Sequence, residues 1–207
     1  MRFDDTGTTR GHLEIYKIYK DGTEELHYSE KNVITSGMGL TLSYAFAADA
    51  NADVSSFQAN WMQIGTGAST TAIVASSNVQ VSGRADLLSS VPRVEYGSEN
   101  SIGLTTSAMS YMTSADTTSL KAFVRVPPAF IHRVSERKVM WRLVLNDSAC
   151  NIADSAVHGG ALNEVGIFSN NPMEVNPPVL HMIAYRAFAN IVKTNEFTLD
   201  FRWTIEF

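Results

Sequence analysis

Hydrophobic and polar residues alternate without a break from Phe197 to Phe207. Phe197, Leu199, Phe201, Trp203, Ile205 and Phe207 fall on one face of an extended chain, and Thr198, Asp200, Arg202, Thr204 and Glu206 on the other. A period of two predicts a strand with one buried and one wet face. A slip by a single residue would put the whole apolar set into water, so the register is tightly specified. Burying each such side chain contributes about 1.5–3 kcal/mol. The run extends to the last residue of the sequence. It predicts a strand docked in a sheet, either within the subunit or against a neighbour.

The same reading places further strands. Leu13–Tyr19 and Glu24–Tyr28 flank Asp21-Gly22, a hairpin signal. Trp61–Ile64 is a short apolar strand ending at the turn Gly65-Thr66-Gly67. Strands are also expected within Leu87–Tyr96, where Pro92 favours an edge, and at Leu120–Val126 and Val139–Leu145. Leu162–Phe168 reads as a strand closed by a turn at Ser169–Pro172, and Leu180–Phe188 as the next. The period changes only near residues 38–48, where Leu40, Tyr44 and Ala47 share one face of a short helix with Ser36 as a candidate N-cap. Residues 1–11 read as a flexible polar arm, and 49–60 and 146–160 as loops. The stretch 68–83 reads as loop with an exposed strand around Asn78–Val81, and 97–119, rich in Ser and Thr, as a variable insertion in a single domain over 12–207. Many short strands, one helix and no β-α-β alternation predict an all-β, mainly antiparallel fold, a β-sandwich or jelly-roll-like domain.

Composition narrows the function. Charged residues are 18% of the chain, a low share, and Ser, Thr, Ala and Asn take their place, as suits large contact areas. The net charge of −5 and the lack of any Lys/Arg run argue against phosphate-backbone binding and against a basic membrane-surface helix, so neither nucleic acid nor membrane is an expected partner. Apolar stretches such as 40–48 fall far short of the ~20 residues of a membrane span. Cys150 is the one cysteine, which excludes an internal disulfide and a cysteine-based metal site and leaves a structural thiol as the default. The start of the sequence is polar and reads as no signal peptide, so a soluble protein made in a cytoplasm is expected.

Candidate chemistry is sparse. Asp49, Asn51, Asp53 and Ser55 have calcium-loop spacing, but Val54 and Asn60 stand where that loop needs Gly and Glu, and a solvated loop is the better reading. His158-Gly159-Gly160 has the form of an oxyanion-hole segment without any nucleophile elbow elsewhere. Gly65-Thr66-Gly67 lacks the Lys of a phosphate loop, and His12, His27, His132 and His181 sit at no metal-binding spacing. No enzyme activity, cofactor or metal is expected.

Two stretches carry a resemblance. Leu162-Asn163-Glu164-Val165-Gly166-Ile167-Phe168, then Ala184-Tyr185-Arg186-Ala187-Phe188, Ile191, Lys193 and the closing strand resemble the final segment of bacteriophage virion proteins of the tail-fibre and baseplate group. Asn32-Val33-Ile34-Thr35 with Gly37, and Ile64-Gly65-Thr66-Gly67 followed by Ser69–Ala72, resemble segments of the same group in the same order. The match covers roughly residues 13–70 and 160–207, and 84–158 matches nothing in it. The resemblance implies a non-enzymatic subunit of a phage particle, assembled in the host cytoplasm. It would self-associate, a trimer being the first expectation, and dock on other virion proteins of tail, baseplate or capsid. It implies structural or assembly roles for Glu164, Gly166, Arg186, Lys193, Trp203 and Phe207.

The residues also have a local reading. Glu164 is expected to pair with Arg186 across two strands, against the alternative of a solvated edge residue, and Gly166 to let Trp203 lie on the backbone. Competing functional readings are a capsid decoration protein, a carbohydrate- or receptor-binding module stacking ligands on Trp61, Tyr96, Tyr111 or Trp141, and a small hydrolase with a site assembled from distant residues.

Overall fold

The computed structural model describes residues 9–46, 57–68, 87, 89–91, 123–152, 160–175 and 178–207. In chain order the strands are β1 (Arg10–Tyr19), β2 (Glu24–Ile34), β3 (Trp61–Gly65), β4 (Val124–Arg125), β5 (Ile131–Ser135), β6 (Lys138–Leu145), β7 (Leu162–Val175), β8 (Pro178–Ile191) and β9 (Phe197–Glu206). Among the described residues one α-helix, α1 (Ser36–Phe46), follows β2, and a 3-10 turn, Pro128–Phe130, precedes β5. The nine strands form one sheet in the order β4-β3-β7-β8-β2-β1-β9-β6-β5, and every ladder is antiparallel. Among the described residues this is the expected all-β, antiparallel architecture with one α-helix, formed as a single curled sheet.

The closing strand is docked within the subunit. β9 lies between β1 and β6 and pairs along its whole length with β1, from Tyr19↔Phe197 to Arg10↔Glu206. Phe197, Leu199, Phe201, Trp203 and Ile205 are all buried as the alternation predicts, but Phe207, expected on the same face, lies just past the end of β9 and is 38% exposed. The β1–β2 hairpin turns at Gly22, whose φ of 86° only glycine adopts readily, and Asp21 Oδ1 accepts the Thr23 amide at 2.9 Å. Arg10 and Gly11, expected in a flexible arm over residues 1–11, belong to β1, and residues 1–8 of that arm lie outside the described residues.

β2 hands the chain from one half of the sheet to the other. Its body pairs with β1, but Val33 and Ile34 pair with Tyr185 and Ala184 of β8. At this two-pair seam the sheet bends. Strands in a flat sheet lie about 4.8 Å apart, which would hold β8 and β9, three places distant, at about 14 Å. The rings of Phe188 on β8 and Phe201 on β9 nevertheless lie 6.2 Å apart. The curl also lets Trp141 Nε1 on β6 donate to the Ala59 carbonyl just before β3, near the far end of the sheet. The main core fills the concave side, with Leu13, Ile15, Leu143, Phe201 and Trp203 facing Met62, Ile64, Val165, Ile167 and Phe188.

The β3–β7–β8 half carries a second core on its other face, built from Trp61, Leu87, Phe123, Phe168, Met182, Tyr185 and Ala187. Burial on both faces leaves β3 and the start of β7 without a wet face, which is why their sequences do not alternate, and it encloses the polar side chains of Gln63, Asn163 and Glu164. Helix α1 lies across β8. Thr35 N donates to Ile183 O at 3.0 Å, and its hydroxyl donates to Met182 O. Gly37 abuts the Met182 carbonyl so closely that a Cβ has no room, which accounts for a glycine near the helix start. Thr41 Oγ1 meets Ser169 Oγ at 2.9 Å and ties the helix to β7.

Several elements differ from expectation. β7 continues through Ser169–Pro172, where a turn was expected, and Val175 pairs with Pro178. β5 was not anticipated, and only Val124–Arg125 of the expected Leu120–Val126 strand is a strand among the described residues. Ser36, the expected N-cap, is the first helical residue, and the Thr35 carbonyl accepts the Met38 amide at 3.1 Å. Most of the expected Leu87–Tyr96 strand, the stretch around Asn78–Val81, the insertion at 97–119 and the calcium-like Asp49–Ser55 series lie outside the described residues.

Candidate functional site: a polar latch between strands β3 and β7

A buried polar cluster forms where β3 meets β7. Gly65 pairs with Glu164 at the end of β3. Having no side chain, Gly65 leaves room for the carboxylate, since a Cβ there would lie 2.6 Å from Glu164 Oε1 and 2.5 Å from the Ser89 carbonyl. Glu164 is fully buried. Its Oε1 accepts the amides of Gly67 at 3.0 Å and Ser89 at 2.9 Å, and its Oε2 accepts the Tyr185 hydroxyl at 3.0 Å. One carboxylate thus ties together the loop after β3, the segment at Ser89 and strand β8. Asn163 adds a backbone-like clasp, accepting the Ala68 amide at 3.0 Å and donating to the Ala68 carbonyl at 2.8 Å. The loop is further held by Thr66 N donating to Ser89 O and Val91 N donating to Ile64 O, both at 2.8 Å. A carboxylate satisfied in this way by backbone amides is a structural acceptor.

The expected Glu164–Arg186 pair is not formed. Arg186 stands opposite Val165, while Glu164 stands opposite Ala187, so strand parity sends the two side chains to opposite faces of the sheet. Arg186 instead reaches β2, where its Nη2 lies 2.8 Å from Glu30 Oε2 and its Nε donates to the Tyr28 hydroxyl. Burial raises the Tyr28 pKa above the ordinary value, with Arg186 acting in the opposite sense. Gly166 also differs from expectation, since a Cβ there would meet the Phe168 ring at 2.9 Å and Leu87 at 3.4 Å, not Trp203. Trp203 lies in the main core, and its indole N–H has no hydrogen-bond partner among the described residues.

Lys193 is buried beside the loop that follows β6. Its Nζ donates to Thr194 O at 2.7 Å and Asn151 Oδ1 at 3.1 Å and lies 5.3 Å from the centre of the Phe197 ring. Burial lowers its pKa to about 8, against the opposing effects of Cys150 and Asp147. Cys150 is buried in the same loop with a φ of 55°. Phe207 is partly exposed, and its backbone closes on Arg137, its amide donating to Arg137 O and its carbonyl accepting from Arg137 Nε, both at 2.8 Å. The site candidates therefore do not converge. Glu164 and Gly166 belong to the latch region, Arg186 to the β2–β8 seam, Lys193 to the β6 loop and Trp203 to the core.

Sequence reading missed Asn163, Tyr185 and Asp200. Asp200 is fully buried although the alternation puts it on the wet face of β9. Arg142 Nε at 2.9 Å and Arg202 Nη2 at 2.8 Å cover its carboxylate, and the Arg202 guanidinium lies 4.1 Å above the Tyr16 ring. An Asp between two arginines on neighbouring strands was a usable signal, had the β6–β9 register been known.

Where the curled sheet closes, Gln58, Ala59, Asn60, Pro128, Ile131 and Trp141 line an open, uncharged cleft of about 350 Å³. Trp61 and Trp141, expected as stacking platforms in the carbohydrate-binding alternative, are core residues only 9% and 4% exposed. Tyr96 and Tyr111 lie outside the described residues. Among the described residues no three His, Cys, Asp or Glu side chains group as a metal site requires, and no helix is long and apolar enough to cross a membrane. Compared with protein-family models, with curated proteins and with solved structures, the chain matches none.

Proposed function

We propose that the chain is a structural, non-enzymatic subunit of a bacteriophage particle, a tail-fibre, baseplate or tail-adaptor component that self-associates and docks on other virion proteins. The observation that carries this reading is the use the fold makes of the resembling segments. Ile64-Gly65-Thr66-Gly67 and Asn163-Glu164, 97 residues apart at the Gly67–Glu164 hydrogen bond, are bonded directly to each other. Thr35 and Gly37 seat on Met182 and Ile183, beside Ala184-Tyr185-Arg186. Segments distant in sequence meet as one scaffold. Their polar groups are engaged in holding loops in place, as a rigid building block requires.

Of the four aromatics that the carbohydrate-binding alternative uses as stacking platforms, Trp61 and Trp141 are buried. The test is quantitative mass spectrometry of purified particles of the phage that encodes the chain. Presence at a fixed copy number in every particle is expected. Absence from particles, with abundant protein in the infected-cell lysate, would overturn the reading.

A further inference from the structure

The fold buries a lysine and sets its amine against an asparagine amide. Lys193, just after β8, is fully buried, and its Nζ donates to the Thr194 carbonyl at 2.7 Å and to Asn151 Oδ1 at 3.1 Å. No carboxylate among the described residues forms an ion pair with it. The centre of the Phe197 ring lies 5.3 Å from Nζ, and Lys17 of β1 approaches the same ring at 5.2 Å. Burial lowers the pKa of Lys193 to about 8, and Cys150 and Asp147, on the loop after β6, act in the opposite sense. A desolvated ammonium without a counter-ion gives up its proton readily, and the neutral amine it leaves is a nucleophile. Asn151 is held in front of that amine. Its backbone runs between Cys150 and Ile152, both buried, and its Nδ2 donates to the Asp147 carbonyl at 2.6 Å. The start of the loop is closed by Asn146 Oδ1, which accepts the Ser148 amide at 3.0 Å. Amine and amide are therefore brought together by the fold, as an addition between two groups of one chain requires.

We infer that Lys193 and Asn151 are the two partners of an amide cross-link that the chain forms within itself. The neutral amine adds through its lone pair to Cγ of Asn151. The Nζ–Cγ bond forms, the Cγ–Nδ2 bond breaks, and the proton shed by Nζ departs on Nδ2 as ammonia. No electrons are transferred and no co-reactant is consumed. Asp147, exposed on the same loop and acting on Lys193 through its charge, is the group placed to relay that proton. The bond joins residues 42 positions apart and closes a loop that contains β7 and β8. Such a closure restricts the unfolded chain as a disulfide does, and with Cys150 as its one cysteine this chain can form no disulfide within itself. Acylation removes the titrating amine, so the pH dependence that Lys193 gives to stability belongs to the unlinked chain.

The experiment is intact mass spectrometry of the full wild-type chain, refolded at about pH 6 and then moved to about pH 9, where the neutral amine predominates. The folded chain should become lighter by the mass of one ammonia, at a rate that rises about tenfold per pH unit up to about 8. A protease digest should then contain a branched peptide joining Lys193 to Asn151, which separates the cross-link from ring closure of an asparagine on its own backbone, a reaction that also sheds ammonia. Asn151→Ala, at an exposed position, should fold and keep its full mass, and Lys193→Met should keep its full mass as well. A folded wild-type chain that retains its full mass at the higher pH, or that loses ammonia without giving the branched peptide, would overturn the inference.

Discussion

β9 and β7 solve the same problem in different surroundings. Along β9 the large apolar residues are buried and, apart from Asp200, the residues between them reach water, so sequence and burial run in step. Along β7 every residue from Leu162 to Ser169 is buried, because one face closes the main core and the other carries the second. The two strands treat a buried acid differently. Asp200, on the face of β9 toward solvent, is neutralised by Arg142 and Arg202, whose side chains remain 35% and 26% exposed. Glu164, between two packed layers, is held by the backbone amides of Gly67 and Ser89 and by Tyr185. The first arrangement decorates a strand. The second fastens a loop to the sheet, so the doubly covered half depends on specific polar contacts as well as on packing.

Four changes sharpen or break that contrast, in decreasing order of effect. Trp203→Ala removes the largest fully buried side chain and should cost about 3–5 kcal/mol in denaturant unfolding, whereas Thr204→Ala on the other face should stay within about 0.5 kcal/mol. Comparable losses at both positions would mean that β9 is not one-sided. Glu164→Ala strands the Gly67 and Ser89 amides and should cost about 3 kcal/mol, with faster hydrogen exchange at Gly67. A loss below about 1 kcal/mol would show that packing alone holds the loop.

The third change concerns pH. The Lys193 pKa in the fold is about 8, below the value of about 10.4 for a lysine in an unfolded chain. Between these values the unfolded chain keeps a proton that the folded one has lost, so this group makes stability rise as pH increases from about 8 toward about 10.4. Below both values it contributes no slope. Lys193→Met should remove that rise when midpoints at about pH 7.5 and about pH 9.5 are compared, and an unaltered rise would contradict the assignment. The smallest effect is Glu30→Ala, which breaks a surface pair with Arg186 in which Glu30 is 58% exposed and should cost at most about 1 kcal/mol.

The contrast also explains what the sequence could reveal. Alternation is a one-face signal, so β1, β6 and β9 were legible from Leu13, Trp141 and Phe201 and their neighbours. β3 and β7 show only short apolar runs, which give a strand without its pairing. Ser169-Asn170-Asn171-Pro172 has turn chemistry, yet β7 runs through it, and with the hairpin misplaced the parity of Glu164 against Arg186 could not be known. β5 escaped notice because most of IHRVS is exposed on both faces and carries no burial pattern. Gly65, Gly67 and Glu164 stood out in the sequence, as a turn and as half of an ion pair, but their contact with one another did not. The roles of Asn163 and Tyr185 depend on contacts to residues 95 and 21 positions away, which no local pattern encodes.

The central claim, a self-associating structural subunit, is tested most directly by the absolute mass of the purified wild-type chain, measured by light scattering on a sizing column over a range of concentrations. The account predicts a discrete species at a small whole multiple of 22.7 kDa, three being the first expectation. A single species of 22.7 kDa at every concentration would contradict it.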